Sequence, residues 1–188
     1  MPTEVLQKTK VEYSFQSSSY SPTGNNDLSD GSPTVVDLSL GLTGGVADGA
    51  AMNSDQVDLG AVRPHEFTLI AAIEFFAAVA AGKTIDFYWS PSANSSVGVG
   101  NPGDPDGVDG DYTGDGGGTV AETVLQMIWI GSFVTTDLVG VQKAIVGTFA
   151  PKLRYGQLVV VNRSGATICG TDDIETSILM SGTIPEGQ

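Results

Sequence analysis

The sequence predicts an all-β protein: an antiparallel two-sheet sandwich, of jelly-roll type, with an extended N-terminal arm. Three observations carry that prediction. Apolar and polar residues alternate in short blocks, the blocks are separated by glycine, proline and aspartate, and no long stretch keeps helical spacing. The chain of 188 residues holds 25 glycines and 9 prolines without a period. A single domain with its own core and many turns is expected, not a collagen-like or disordered chain.

The elements follow in order. KTKVEYSF (8–15) alternates as one strand, and QSSSYSPTGNNDLSDGSP (16–33) carries the serine, glycine, asparagine and proline of turns and linkers. TVVDLSLGL (34–42) reads as a second strand, followed by the glycine- and aspartate-rich TGGVADGAAMNSDQVDLG. Residues 1–62 are therefore expected to form an arm with one or two strands and flexible linkers. Its few apolar anchors repay the entropy of ordering poorly, so a neighbouring subunit is expected to order it.

The sandwich domain is expected over 63–188, with an aspartate- and glycine-rich loop at 91–118. In EFTLIAAIEFFAAV, Phe67, Leu69, Ala71, Ile73 and Phe75 share one face at a period of two. The alanines favour a helix, but Gly82 and the strand KTIDFYWS follow at once, so a strand is preferred and AGK is read as a hairpin turn. TVAETVLQMIWIGSFVTT (119–136) reads as one long strand with Leu125, Met127 and Trp129 pointing inward. VQKAIVGTF, GQLVVVNRSG and ETSILMSGT bring the total to about eight strands. Spacing alone does not separate a jelly roll from an immunoglobulin-like sandwich, because strand order leaves no local trace.

Composition excludes several function classes. The formal charge of -14, from 22 acidic and 8 basic residues, repels phosphate backbones and anionic lipid. Lys8 and Lys10 are close in sequence, as are Lys152 and Arg154, but no basic run emerges, so neither nucleic acid nor membrane is an expected partner. FTLIAAIEFFAAVAAG is interrupted by Glu74 and falls short of the roughly 20 apolar residues of a membrane span. MPTEVLQKTK lacks the apolar run of a secretion signal. A soluble protein made in a reducing cytosol is expected, with Cys169 a bystander thiol.

Catalytic signatures are sparse, and no catalytic or cofactor-binding residue is assigned. His65 is the sole histidine, which excludes multi-histidine zinc sites and would leave a serine triad dependent on a residue beside Pro64. Asp172, Asp173 and Glu175 read as a strand-entry turn as readily as a ligand cluster. The NRSG pattern at Asn162 reads as a polar turn, and no P-loop, dinucleotide fingerprint, HExxH or nucleophile elbow occurs.

The stretch NPGDPDGVDGDYTGDGGG (101–118) holds five aspartates and seven glycines. Asp104, Asp106, Asp109, Asp111 and Asp115 are the candidate calcium ligands, since calcium takes several hard oxygens from a tightly turning loop. From Asp109 the spacing imitates an EF-hand start, but Val120 stands where the bidentate glutamate belongs and Glu122 comes two places late. The competing reading is a solvated surface excursion. Trp89, Trp129, Tyr88, Tyr112 and Tyr155 could form a carbohydrate platform, but alternation assigns both tryptophans to the core.

From about Arg63 to Met180 the chain resembles small virion proteins of tailed bacteriophages. The resemblance rests on EFTLIAAIEF, KTIDFYWSPSAN, the excursion ending in DYTG, LQMIWIGSFVTTD, GTFAPKLRYGQLVVVNRSGA and DDIETSILM, in that order. It implies a jelly-roll-type domain repeated over a particle surface and a role in capsid decoration as a cement protein. The major capsid protein or other virion proteins would be partners, in a homo-oligomer with a trimer favoured. It brings no catalytic residues, and it does not cover residues 1–62 or the aspartates at 104–115. The alternative expectation is a tail- or fibre-associated receptor- or glycan-binding module that uses calcium. A hydrolase ranks third.

Overall fold

The computed structural model describes residues 5–29, 31–41 and 44–187. Residues 1–4, 30 and 42–43 of the expected arm, and residue 188, lie outside these. The described strands are β1 (Val5–Gln16), β2 (Thr34–Asp37), β3 (Ala51–Asn53), β4 (Val57–Asp58), β5 (Phe67–Phe75), β6 (Thr84–Ser92), β7 (Gly110–Tyr112), β8 (Ile128–Val134), β9 (Gly140–Phe149), β10 (Tyr155–Arg163) and β11 (Ser177–Gly187). They form a five-stranded sheet, β2-β1-β11-β5-β9, and a six-stranded sheet, β7-β3-β10-β6-β8 with β4 beside β10. The two sheets stack as a sandwich. Pairing is antiparallel except between β1 and β2, which run parallel.

The core lies between the inner faces. Phe67, Leu69, Ala71, Ile73 and Phe75 are all buried, so the period-two reading of this segment is borne out. They meet Ile85, Phe87, Trp89, Leu158, Val160, Ile178 and Met180 in one cluster. Each large side chain buried this way contributes roughly 1.5–3 kcal/mol. β5 and β6 sit in different sheets, so the turn around Gly82 is not a hairpin turn but bridges the sandwich. Both strands present a full apolar face, and two such faces bury each other across a core, not side by side.

The N-terminal region is built into the sandwich. β1 is flanked by β2 and β11, and Tyr13, Phe15, Val36, Leu38, Leu40, Val46, Met52, Val57 and Leu59 join the same core. The linker-like residues that follow β1 are tied down by their own domain: Ser21 N donates to Ile174 O at 2.7 Å, Thr23 N to Glu175 Oε1 at 3.0 Å and Asn26 Nδ2 to Glu175 Oε2 at 3.1 Å. The expectation of an arm ordered by a neighbour is corrected for these residues. Composition undervalued the segment because its partners stand about 150 positions away.

One part of the region does project. β2 accompanies β1 only from Tyr13 to Gln16, and β5 accompanies β11 only from Ser177 to Gly182. Beyond these limits, among the described residues, β1 and β11 pair with each other alone, out to Val5 opposite Gly187. A two-stranded ribbon results, with no further strand on either edge among the described residues.

The segment before β8 differs from the single long strand expected. Val120–Thr123 forms a short helix, α1, continued by a 3₁₀ turn at Val124–Gln126. Thr119 N donates to Glu122 Oε2 at 2.9 Å, the arrangement of a capping box. β8 starts only at Ile128, and its register against β6 shifts between Phe87–Gly131 and Tyr88–Trp129, leaving Ile130 extra. Such a bulge reverses the phase of alternation. Trp129 is consequently 60% exposed, and Leu125, in the 3₁₀ turn and not in a strand, is 80% exposed, both contrary to the inward assignment. Met127 is buried, but in a second apolar cluster on the outer face of the six-stranded sheet with Ala51, Tyr88, Tyr112, Val124, Val159 and Val161.

Candidate functional site

The aspartate-rich stretch packs on that outer face instead of looping freely into solvent. Tyr112 is buried, and its hydroxyl lies 2.5 Å from Gly103 O and 2.8 Å from Thr123 Oγ1. Ser90 Oγ donates to Pro102 O at 2.7 Å, and buried Gln157 donates to Pro105 O at 3.3 Å. The five aspartates divide by role. Asp106 Oδ1 accepts from Asn53 Nδ2 and Val108 N, both at 3.1 Å, and Asp109 Oδ1 accepts from Ser39 N at 2.8 Å. Burial raises the Asp109 carboxyl above its ordinary range; the Ser39 donor opposes this, and the charges of Asp55 and Asp37 add to it. Asp104, Asp111 and Asp115 are exposed. Among the described residues, no three histidine, cysteine, aspartate or glutamate side chains gather in a group able to hold a metal ion.

The other sequence candidates occupy structural positions. Asp173 Oδ2 accepts from Gly41 N at 2.9 Å, Asp172 Oδ1 accepts from Ile174 N at 3.3 Å, and Glu175 clamps Thr23 and Asn26. Glu74 stands close to this group, and its carboxyl is raised first by burial and then by Asp172. Cys169 is fully buried, with Sγ 3.3 Å from Thr176 Oγ1, and burial pushes its thiol up to about 12. A thiol so held stays protonated and unreactive at neutral pH. The Asn162 side chain is buried and donates to Val46 O and Ala166 O at 2.7 Å each, so it closes a turn.

A site that sequence reading missed lies where the chain enters β5 and leaves β9. Phe67 opposite Phe149 ends the β5–β9 ladder, which brings Ala61–His65 beside Ala150–Lys152. Together they line a cleft of about 490 Å³ with Arg63, His65 and Lys152 on its walls and, among the described residues, no carboxylate in the lining. Arg63 Nη2 donates to Lys152 O at 3.3 Å and Nη1 to Gly60 O at 3.5 Å, fixing the guanidinium across the cleft. His65, Lys152 and Val62 are exposed. Beside the cleft, Arg154 makes two 2.7 Å bonds to the Asp58 carboxylate. The signal was out of reach in sequence because Arg63 and Lys152 are 89 positions apart.

Among the described residues the lining offers no serine, cysteine or carboxylate to act as nucleophile or general base. What it can do is bind: three cationic or protonatable groups beside Ala61, Val62, Pro64 and Pro151 suit a carboxylate on an extended, partly apolar segment. Compared with family models, curated proteins and solved structures, the chain matches none.

Proposed function

We propose that the chain is a non-enzymatic structural protein of a tailed-phage virion, a capsid decoration or cement protein. In this reading its sandwich is a jelly-roll-type domain that works as a homotrimer at capsomer junctions on the outer capsid surface, after synthesis in the host cytoplasm. Its partners are the major capsid protein or other virion proteins. The observation that supports it best is the ribbon of β1 and β11. Two strands alone are marginally stable in water, and unpaired edges accept backbone bonds from a neighbouring chain. A rigid sandwich carrying such a ribbon suits a subunit that spans a junction and stabilises the shell by binding its assembled form alone. The net charge of -14 suits a surface turned away from packaged nucleic acid.

The test is binding to undecorated phage heads. Purified chain should co-sediment with expanded heads at a fixed stoichiometry and raise the temperature at which they release DNA. Heads that neither retain the chain nor gain heat resistance would overturn the reading.

A second reading, a receptor- or glycan-binding module of the tail or fibre that uses calcium, is favoured by Trp129. Its indole is 60% exposed on the outer side of β8, opposite Tyr88, and an exposed indole can stack on a sugar face. Quenching of tryptophan fluorescence by host surface glycans, lost on adding EDTA, would support this reading in place of the first.

A further inference from the structure

We infer that the cleft of Arg63, His65 and Lys152 is a docking site for carboxylates, and that its occupant is the exposed aspartate surface of a second copy of this chain. The inference rests on the homo-oligomer element of the proposed function and is independent of a place on the capsid. It starts from charge distribution. In a chain with 22 acidic residues against 8 basic ones, a cleft whose only ionisable groups among the described residues are Arg63, His65 and Lys152 is a pronounced local reversal of sign. The ion pairs among the described residues engage Lys10 with Glu12, Arg154 with Asp58 and Arg163 with Asp86. Among the described residues Arg63 bonds to carbonyl oxygens and to no carboxylate, so its charge lacks a described anionic counterpart within the cleft.

The complementary surface is on the same chain but elsewhere on the sandwich. Asp111 is exposed within β7 and Asp104 and Asp115 are exposed on either side of it, at an edge of the six-stranded sheet. The acids of the 172–175 turn suit this role less, since Asp173 and Glu175 already accept bonds from Gly41, Thr23 and Asn26. The stretch at 104–115 also contains the exposed Val108, an apolar counterpart to the exposed Ala61 and Val62 of the cleft lining. Because cleft and aspartates are different patches, the contact is heterologous. Contacts of that kind close into a ring when the rotation allows and otherwise extend into a filament.

The experiment is sedimentation velocity on the full chain over a range of concentrations, at about 50 mM and about 500 mM sodium chloride, since screening weakens such contacts. The expected result is self-association that falls about tenfold or more with added salt. Arg63→Glu with Lys152→Glu should abolish it, as should Asp104→Lys with Asp111→Lys and Asp115→Lys. Mixing the two charge-reversed proteins should restore it. Arg63 is half-buried and the other four positions are exposed, and unchanged melting of each variant checks that the fold is kept. A chain that stays monomeric at low salt, or an oligomer indifferent to salt and to the cleft substitutions, would overturn the inference. A monomer that still binds phage heads would sink it while leaving the virion reading intact; the expected self-association in a chain that ignores heads would do the reverse.

Discussion

Gly131 on β8 and Gly147 on β9 hold the free edges of the two sheets against each other. A Cβ on Gly131 would come within 2.2 Å of the Val146 carbonyl oxygen, and one on Gly147 within 2.3 Å of the Ile130 carbonyl oxygen. The register shifts of both strands fall at this crossing, between Leu69 and Ile70 on the β5–β9 ladder and between Phe87 and Tyr88 on the β6–β8 ladder. The bulges turn the two strands so that backbone meets backbone. Gly131→Ala and Gly147→Ala should each cost about 1–3 kcal/mol, since only a backbone shift can make room. Both substitutions part the same two strands, so the double variant should cost less than the sum. Urea denaturation of the three variants measures this.

The two tryptophans should respond oppositely to truncation. Trp89 is fully buried, with its ring 5.6 Å from that of Phe149, and Trp89→Ala should cost about 3–5 kcal/mol. Trp129→Ala should cost less than about 1 kcal/mol, because the side chain is largely in solvent. Equal losses in thermal or chemical melts would contradict the placement of Trp129.

Removing residues 101–118 and bridging the gap with glycines should destabilise the domain. The deletion strips the cover from Tyr88, Val159 and Val161 and takes away β7. Tyr112→Phe isolates one part of the effect: losing the hydroxyl next to Gly103 O and Thr123 Oγ1 should cost about 0.5–1.5 kcal/mol. A deletion variant that melts like the parent would show that the stretch is a dispensable excursion.

Glu74 should make the fold less stable as the pH rises. Burial and Asp172 raise its carboxyl above the ordinary value of 4.5, with Glu175 and Asp173 adding to the effect, so the folded state binds this proton more tightly than the unfolded chain does. The stabilisation is fully present below pH 4.5 and is lost as pH rises through the raised value. Asp109 acts in the same direction. Asp58 and Glu175, whose carboxyls are lowered by Arg154 and by Thr23 respectively, act in the opposite direction, but both lie in solvent, where screening weakens the effect. Glu74→Gln should raise stability at neutral pH and flatten the decline as the pH rises above 4.5. Urea midpoints across that range, compared with the parent, check the sign.

The sequence alone showed where the long strands lie and which face of β5 is apolar. Alternation and turn chemistry act over neighbouring residues, so each strand carries its own signal. The three short strands β3, β4 and β7 escaped notice because two or three residues are too few to show a period. Thr119 and Glu122 did carry a local helix signal, the capping pair, which the surrounding apolar alternation obscured.

By itself, then, the sequence determined the all-β class, the strand-rich body and the acidic surface, because composition and short-range periodicity are local quantities. The tertiary structure decided the rest: that β1 sits within a sheet opposite β11, that a bulge turns Trp129 outward, that the aspartate stretch covers a sheet face, and that Arg63 meets Lys152. Each of these depends on pairing between residues far apart in the chain. Such a pairing is favourable only once both partners are held by the core, so no local pattern announces it.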